Sequence, residues 1–498
     1  MKLTLILTLL VLAFLLAPAR AAARADMFYV ATNGDDANPG TLAAPWRTIQ
    51  HAANLLAPGD MVYVRGGIYN ERVRVNVSGT KNGGYITFAA YANESPILDG
   101  TGLVVKSGWD ALVRIQDKSF VRIDGFEIRN FSADKKNRIP IGILVWGAGS
   151  HIELRNNYVH HIETNFQGVN GGDAHGIAVY GTRAPRALRH IVIDGNELSD
   201  LKLGSSEALV VNGNVKKFFV TNNIVRDSNN IGIDAIGFEN VAPDDAYDQA
   251  RNGIIADNTV YNIDSSTNPA HQGAHSAGCI YVDGGTRITI ERNVAHHCNI
   301  GIELASEHRG RATSYITLRN NFIYRNSEAG IAIGGYDEQR GRTEHSSIVN
   351  NTLYDNDTRA QGNGELYLQY DTRDNLIRNN IFYAGAQGLF IGNWSTANTG
   401  NVVNNNLYYR VAGGGEWEWK NKRYQKFSRY KNATGNDTAS FVNLDPLFVN
   451  LITPDLHLQN TSPAIDAGAN LSASGSTDID GNARVQGAAM DLGADEAQ

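Results

Sequence analysis

The chain has 498 residues, 42% of them hydrophobic, enough to bury a large core. Its 51 glycines against 12 prolines fit short strands joined by turns rather than a disordered chain. A formal net charge of −7 argues against nucleic acid as the main partner, although local charge can oppose the sum.

Met1-Lys2, the apolar run Leu3 to Leu16 and the Ala-x-Ala sites up to Ala25 form a signal-peptide pattern. Residues 1–25 are therefore expected to be a leader, and the protein to be secreted or periplasmic. The apolar run is too short for a convincing membrane span, and no other candidate exists. Phe28 opens a strand that leads into a turn-rich loop, where Asp35, Asp36 and Asn38 read as turn formers before cation ligands. Thr48 to Leu56 is the one clear helical stretch, placed to cap an open strand edge. Met61 to Tyr69, Tyr85 to Phe88 and Val121 to Ile128 read as the first, less regular coils.

From there the phrase Ile-x-Ile-x-x-Asn-x-Ile recurs, centred on Asn157, Asn196, Asn223, Asn258, Asn293, Asn321, Asn351, Asn380 and Asn405. Copies lie roughly 25 to 40 residues apart, the spacing of a solenoid. Period-2 alternation of aliphatics makes the unit a strand rather than a helix. Asn tolerates the left-handed backbone region, so an Asn at one place in each coil suggests a repeated bend with stacked amides. A second strand per coil is opened by a small residue at Gly142, Gly176, Gly232, Gly301, Gly330 and Gly388. At about 4.8 Å per rung, the Asn-marked coils would stack over roughly 43 Å. The pattern predicts an all-β fold, a single right-handed parallel β-helix over 26–440, most regular over 142–410. An N-terminal helix would cap it, and 441–498 would form a C-terminal β cap folded over the last coil. Asp478 and Asp480 in that tail read as turn formers ahead of a calcium site. Cys279 and Cys298 are out of lateral register with Gly278 and Gly301, and two unpaired interior thiols are expected, though an oxidising compartment permits a disulfide. The trio His296, His297 and Cys298 lacks the partner spacing of a metal site.

Phasing each second strand on its core aliphatics turns Leu144, Trp146, Ala178, Tyr180, Val210, Asn212, Asp234 and Ile236 outward, followed by Tyr281, Asp283, Glu303, Tyr367 and Gln369. This stripe of aromatic and amide groups suits a glycan-binding face. Three following segments are basic: Thr182 to His190, Glu307 to Arg311 and Glu338 to Arg342. Arg309, Arg311, Arg340 and Arg342 should share one edge of adjacent rungs, where guanidinium groups suit a polymer of regular carboxylates; solvated loops balanced by Glu307, Asp337 and Glu338 are the alternative. Tyr180 and Lys217 fall on outward parity about one rung apart. A Tyr, Lys and His175 gathered there could remove a carbon-bound proton, with His175, Asn212 and Arg226 neutralising a substrate carboxylate.

The opening Phe28 to Asp36, the Tyr63-Val-Arg-Gly-Gly-Ile-Tyr-Asn-Glu71 phrase and the Asn-turn coils resemble secreted β-helix polysaccharide lyases. Glu207 to Phe218 and Asn229 to Gly237 most resemble polysaccharide lyase family 31, which includes alginate and glucuronan lyases. The resemblance covers roughly residues 28–410 and implies Tyr180 and Lys217 as the catalytic pair. The calcium-dependent pectate lyases of family 9 are similar at greater distance; the metal cluster they imply finds only Asp173 and Asp234 here, so no cofactor is expected to be required, calcium being a possibility without support. The expected function is an exported, monomeric lyase cleaving mannuronate-rich alginate or glucuronan by β-elimination, with an epimerase sharing the same first step. The rivals are a calcium-dependent pectate lyase, a glycoside hydrolase using Glu207, Asp234, Asp283 or Glu303, and a non-catalytic glycan-binding solenoid.

Overall fold

A computed structural model describes residues 25–169 and 171–497; the leader expected over 1–25 lies, but for its last residue, outside them. Three sheets of thirteen strands run through residues 27–442, and between its two ends the coil gives a strand to each in turn. One representative coil supplies Gly149–Arg155 to the first sheet, Tyr158–Thr164 to the third and His175–Gly181 to the second. Strands of the stack pair in parallel; among the described residues, antiparallel strand pairs occur at the hairpin 416–424 and in the tail, and a few isolated antiparallel bridges lie in the connecting turns. The fold is the expected right-handed parallel β-helix. Most coils have three strands rather than two, because the recurring phrase spans two strands joined at a tight corner, and three coils add a fourth short strand at Ala312–Ser314, Arg342–Glu344 and Thr372–Arg373.

Stacked aliphatic columns form the core. Leu154, Ile193, Val220, Ile255, Ile290, Leu318, Ile348, Ile377 and Val403 occupy successive rungs of the first sheet in one register. All are buried, so each strand's alternate side chains leave water against the coil above and below. The small residues opening the second-sheet strands are required by a close approach. A Cβ on Gly301 would sit 2.5 Å from the Gly330 carbonyl oxygen, and one on Gly330 2.5 Å from that of Glu365.

The corner between first and third sheets carries the stacked amides. Asn157, Asn196, Asn223, Asn258, Asn293, Asn321, Asn351 and Asn380 are buried, and each Oδ1 beyond the first accepts from both the backbone N–H and the Nδ2 of the Asn one coil earlier. Two details differ from expectation. The ladder ends on Asn406, not Asn405. The left-handed residue is the one before each ladder Asn, as at Asn156, Asn222, Asp257, Asn320 and Asn405. That residue makes the bend, which frees the next amide to turn inward.

The expected N-terminal helix is Ile49–Leu55, with the Thr48 hydroxyl accepting from the His51 N–H as its N-cap. The far end is sealed differently from expectation, by helix Phe427–Thr434, whose Tyr430 stacks 5.7 Å from Trp417, itself 5.0 Å from Phe390. The tail does not fold over the last coil. It runs back along the outer face of the third sheet, where Phe448, Leu456, Leu458 and Leu492 cover Phe322, Tyr354, Tyr383 and Leu407. The reason is chemical: third-sheet strands end in outward aromatics that need a cover, and the corner residues Asn320, Asn350 and Asn379 donate to tail carbonyls at 2.7–3.0 Å.

Cys279 and Cys298 form a disulfide, contrary to the unpaired thiols expected. Cys298 precedes its second-sheet strand, at the inner corner of the coil above, and its Cα lies 5.6 Å from that of Cys279. Lateral register with the glycines does not bear on a bond that crosses a corner. Among the described residues, no helix is long and apolar enough to cross a membrane.

Candidate active site

The second sheet's outward side chains form two columns. Leu144, Ala178, Val210, Asp234, Tyr281 and Glu303 occupy one, and Trp146, Tyr180, Asn212 and Ile236 the other. Strand parity fixes this arrangement, as the sequence implied. Apart from the half-buried Trp146, these side chains face away from the core yet are buried, and segments carrying Asp173, Ser206, Glu239 and His271 wall a cleft of about 340 Å³ over Tyr180, Asn212, Asp234, Ile236 and Tyr281.

One end of the cleft is aromatic. Trp109 lies edge-on to Tyr180 at 4.5 Å and stacks on His175 at 5.4 Å, while Trp146 stacks on Tyr180 at 5.8 Å. Burial pushes the His175 imidazole down to about 4, so it is neutral near pH 7. Its Nδ1 donates to the Glu207 carbonyl oxygen at 3.1 Å, leaving Nε2 as a buried, unpartnered acceptor. The Tyr180 hydroxyl stays protonated, held well above its usual range by burial and then by the Glu207 charge.

The other end is acidic. Asp234 and Glu303 sit two rungs apart in one column with Tyr281 between them, and Asp283 lies two residues along from Tyr281. The rung spacing sets the Asp234 and Glu303 backbones about 10 Å apart. Asp283 Oδ1 accepts the Glu307 N–H at 2.8 Å. Burial raises all of these acids: Glu303 up to about 8, and Glu207, Asp234 and Asp283 well above the usual carboxylate range. Repulsion adds to burial, from Asp173 and Glu239 on Glu207, and from Glu207 and Asp283 on Asp234. Glu207 Oε2, Asp234 Oδ1 and Asn212 Oδ1 are buried without hydrogen-bond partners. Orphaned polar atoms converging on one cavity mark a place built for a ligand. No Lys or Arg lines the cleft among the described residues; Lys136 acts on Asp173 at a distance, and Arg340 donates to the Glu307 carbonyl oxygen at 3.3 Å from outside the lining.

Of the residues singled out from the sequence, the cleft gathers Asp173, His175, Tyr180, Glu207, Asn212, Asp234, Tyr281 and Asp283, while Trp146 stacks on Tyr180 and Glu303 sits one rung beyond Tyr281, both outside its lining. It does not gather Lys217, which is exposed on the first-sheet strand Val215–Thr221, whereas Tyr180 is on the second sheet. Outward parity was right for both, but parity does not tell which of three faces is outward. Arg226 belongs to the third sheet and is bound to Glu197 at 2.7 Å and Asp227 at 2.6 Å. The arginine ladder is also spent on neighbours. Arg311 pairs with Asp245, Arg342 with Glu344 at 2.6 Å, and Arg340 packs over Tyr336 at 4.5 Å. Arg309 reaches only Gln339, at 3.5 Å. Ala312 pairs with Arg342, so the two Arg-Gly-Arg phrases are out of step by one residue. Sequence reasoning missed Trp109, Asn230, Glu239 and His271, which lie in strands or wall segments that no repeat phrase marks.

Residues 28–184 match a family described as a Pel9A-like, right-handed β-helix region. The uncharacterized protein YwoF of Bacillus subtilis (strain 168) is 43% identical over 462 residues, which is 92% of this chain and 97% of YwoF. Pectate lyase PEL9 of Emericella nidulans is 32% identical over 169 residues, 32% of this chain and 40% of PEL9. Among solved structures, the GH136 lacto-N-biosidase of Eubacterium ramulus superposes with a TM-score of 0.56 at 18% identity, over 77% of this chain and 68% of that one, a likeness of fold. Residues 141–339 and 247–426 match the right-handed β-helix region, and the chain belongs to that family, together with YwoF.

Proposed function

We propose that the protein is an exported carbohydrate-active β-helix enzyme that hydrolyses a glycosidic bond in a largely uncharged glycan, using buried carboxylates as acid and base. The observation that carries this reading is the pair Glu207 and Asp234. Both are buried and held well above the usual carboxylate range, Asp234 with Glu207 adding to the effect of burial, and each has an oxygen without a partner. Carboxyls raised in this way keep a proton to higher pH than free ones, so the pair can supply an acid near neutral pH. The protonated member gives its proton to the glycosidic oxygen as the bond to the anomeric carbon breaks. The other member of the pair or Asp283, after giving its own proton to solvent, activates the water or attacks the carbon, and one water is consumed per new reducing end. The Trp109, Trp146 and Tyr180 wall suits the apolar face of a pyranose. The leader pattern and the disulfide support export.

The lyase reading built on Tyr180 and Lys217 loses its base, and a polyuronate would bring further negative charge into an acidic cleft. A cation-assisted lyase is the second reading, favoured by the PEL9 likeness and by the Pel9A-like match, which includes Trp109, Trp146, His175 and Tyr180. Purified protein assayed on neutral oligosaccharides, alginate, glucuronan and pectate, with chelator or added calcium, separates the two. New reducing ends on a neutral glycan without ultraviolet absorbance of an unsaturated uronate are expected. Chelator-sensitive absorbance on a polyuronate would replace the hydrolase reading with the lyase one.

A further inference from the structure

Away from the cleft, the tail brings together three metal-ligating side chains from three of its segments. One ligand atom each of His457, Asp480 and Asp495 lies within 4.8 Å of the other two. The histidine is oriented from behind, since Nδ1 bonds Asp455 Oδ1 at 2.5 Å. An ionised carboxylate can only accept, so that bond keeps a hydrogen on Nδ1 and aims Nε2 at Asp480 Oδ2, 3.1 Å away. Nε2 is buried and has no hydrogen-bond partner there. A neutral imidazole would then set its lone pair against a carboxylate. Asp495 is only 6% exposed, and its Oδ2 accepts the Leu458 N–H at 2.7 Å. Asp478 is wholly buried beside it, with Oδ2 unpartnered while Oδ1 closes the turn by accepting from Asp480 and Asn482. Asp478 is thus the turn former the sequence suggested, and the turn it makes presents Asp480.

We propose that His457 Nε2, Asp480 and Asp495 form a binding site for one divalent transition ion, zinc or manganese in class, that ties three segments of the tail to one another. One imidazole with two carboxylates suits such an ion, whereas calcium prefers six to eight oxygens. A carboxylate behind the ligating histidine is the usual means of fixing its tautomer. The three ligands lie in the strand 455–458, the turn 478–482 and the segment ending the described chain, so one ion would tie together pieces that otherwise share few bonds.

The competing account is a protonated His457 held as an ion pair. Burial alone would lower His457, but the bond to Asp455 and the charges of Asp495 and Asp480 raise it overall. The two accounts have opposite pH dependence. An ion pair with a raised histidine stabilises at low pH and is lost as pH rises through the folded pKa. Metal affinity strengthens as pH rises, because protons compete for Nε2. The full chain, freed of metal with a chelator, is titrated calorimetrically with zinc, manganese and calcium chloride at about pH 5.5 and 7.5. Expected are one equivalent of zinc or manganese, tighter at the higher pH, with a zinc-dependent rise in melting temperature. Asp455→Asn should weaken binding about 10- to 100-fold. His457→Ala and Asp480→Asn should abolish it, while Glu338→Gln leaves it unchanged. Asp480 is on an exposed turn, so its variant keeps the test valid if the histidine variant misfolds. No binding of either ion, or binding that survives both ligand substitutions, overturns the proposal.

Discussion

In water, two neighbouring carboxylates at neutral pH are both ionised; Glu207 and Asp234, raised by burial and by the acids around them, hold a proton to higher pH, which makes a donor. Replacing either by its amide, Glu207→Gln or Asp234→Asn, removes that donor with little change of shape. Turnover should fall about 10²- to 10⁴-fold, with the circular-dichroism spectrum unchanged. Lys217→Ala should leave turnover within about twofold, since an exposed side chain on another sheet touches no substrate; a large loss there would restore the lyase pair. Glu303 makes a separate prediction for stability. It remains protonated up to about pH 8 when folded but ionises near 4.5 when unfolded. Its contribution is full below pH 4.5 and drains away as pH rises to about 8, by up to about 1.4 kcal/mol per pH unit. Glu303→Gln should therefore gain on the native protein as pH rises, read as the difference in denaturation midpoint at pH 5 and 8. Tyr180, Asn212 and the acids were legible because side-chain alternation is a property of any strand. The fate of Lys217 was not. In its coil and those below, residues 120, 151, 190 and 217 hold a left-handed kink at φ 54–59°, with Phe120, His151 and His190 stacked in file on the first sheet. Nothing in a Lys-Lys pair announces a kink.

At the scale of the element, the Asn ladder does what an aliphatic core cannot, by satisfying the backbone at a buried corner. Asn258 Oδ1 accepts the Asn223 N–H at 2.9 Å, and its Nδ2 donates to the Val220 carbonyl at 2.9 Å. Asn258→Ala strands both groups without water, a loss of at least about 2 kcal/mol. Urea denaturation should show it, with Asp257→Ala, at the left-handed position outside, costing roughly 1 kcal/mol instead, through backbone strain and the loss of its surface pair with Arg292. Equal effects at the two positions would mean that the amide bonds add nothing beyond the bend. The recurrence of Asn was plain in the sequence, but its division of labour was not: adjacent asparagines such as 350 and 351 look alike as letters. One is bent and faces the tail; the other is extended and faces the core.

For the whole molecule, two apolar surfaces need covering, and they are covered independently. The interior column of the solenoid is one, closed at its far end by Trp417 and Tyr430. The outer face of the third sheet is the other, where Phe322, Tyr354, Tyr383 and Leu407 have the tail as their shield. The sequence made the first visible through its period; the second was hidden because strand 322–324 and its successors carry apolar residues on both faces, which blurs the alternation. This separation predicts the result of removing residues 443–498. The coils should still form, since their core and end cap lie within the remaining chain, and the far-ultraviolet spectrum should stay that of a β protein. The uncovered aromatic strip should bind a hydrophobic dye and drive self-association as concentration rises, seen by light scattering. The corner amides of Asn320, Asn350 and Asn379 would lose their tail carbonyls but gain water, so the cost falls on the apolar strip rather than on hydrogen bonding. A truncated chain that stays monomeric and dye-free would mean the strip is too narrow to matter, whereas one that loses its β spectrum would mean the tail is part of the solenoid's own folding unit.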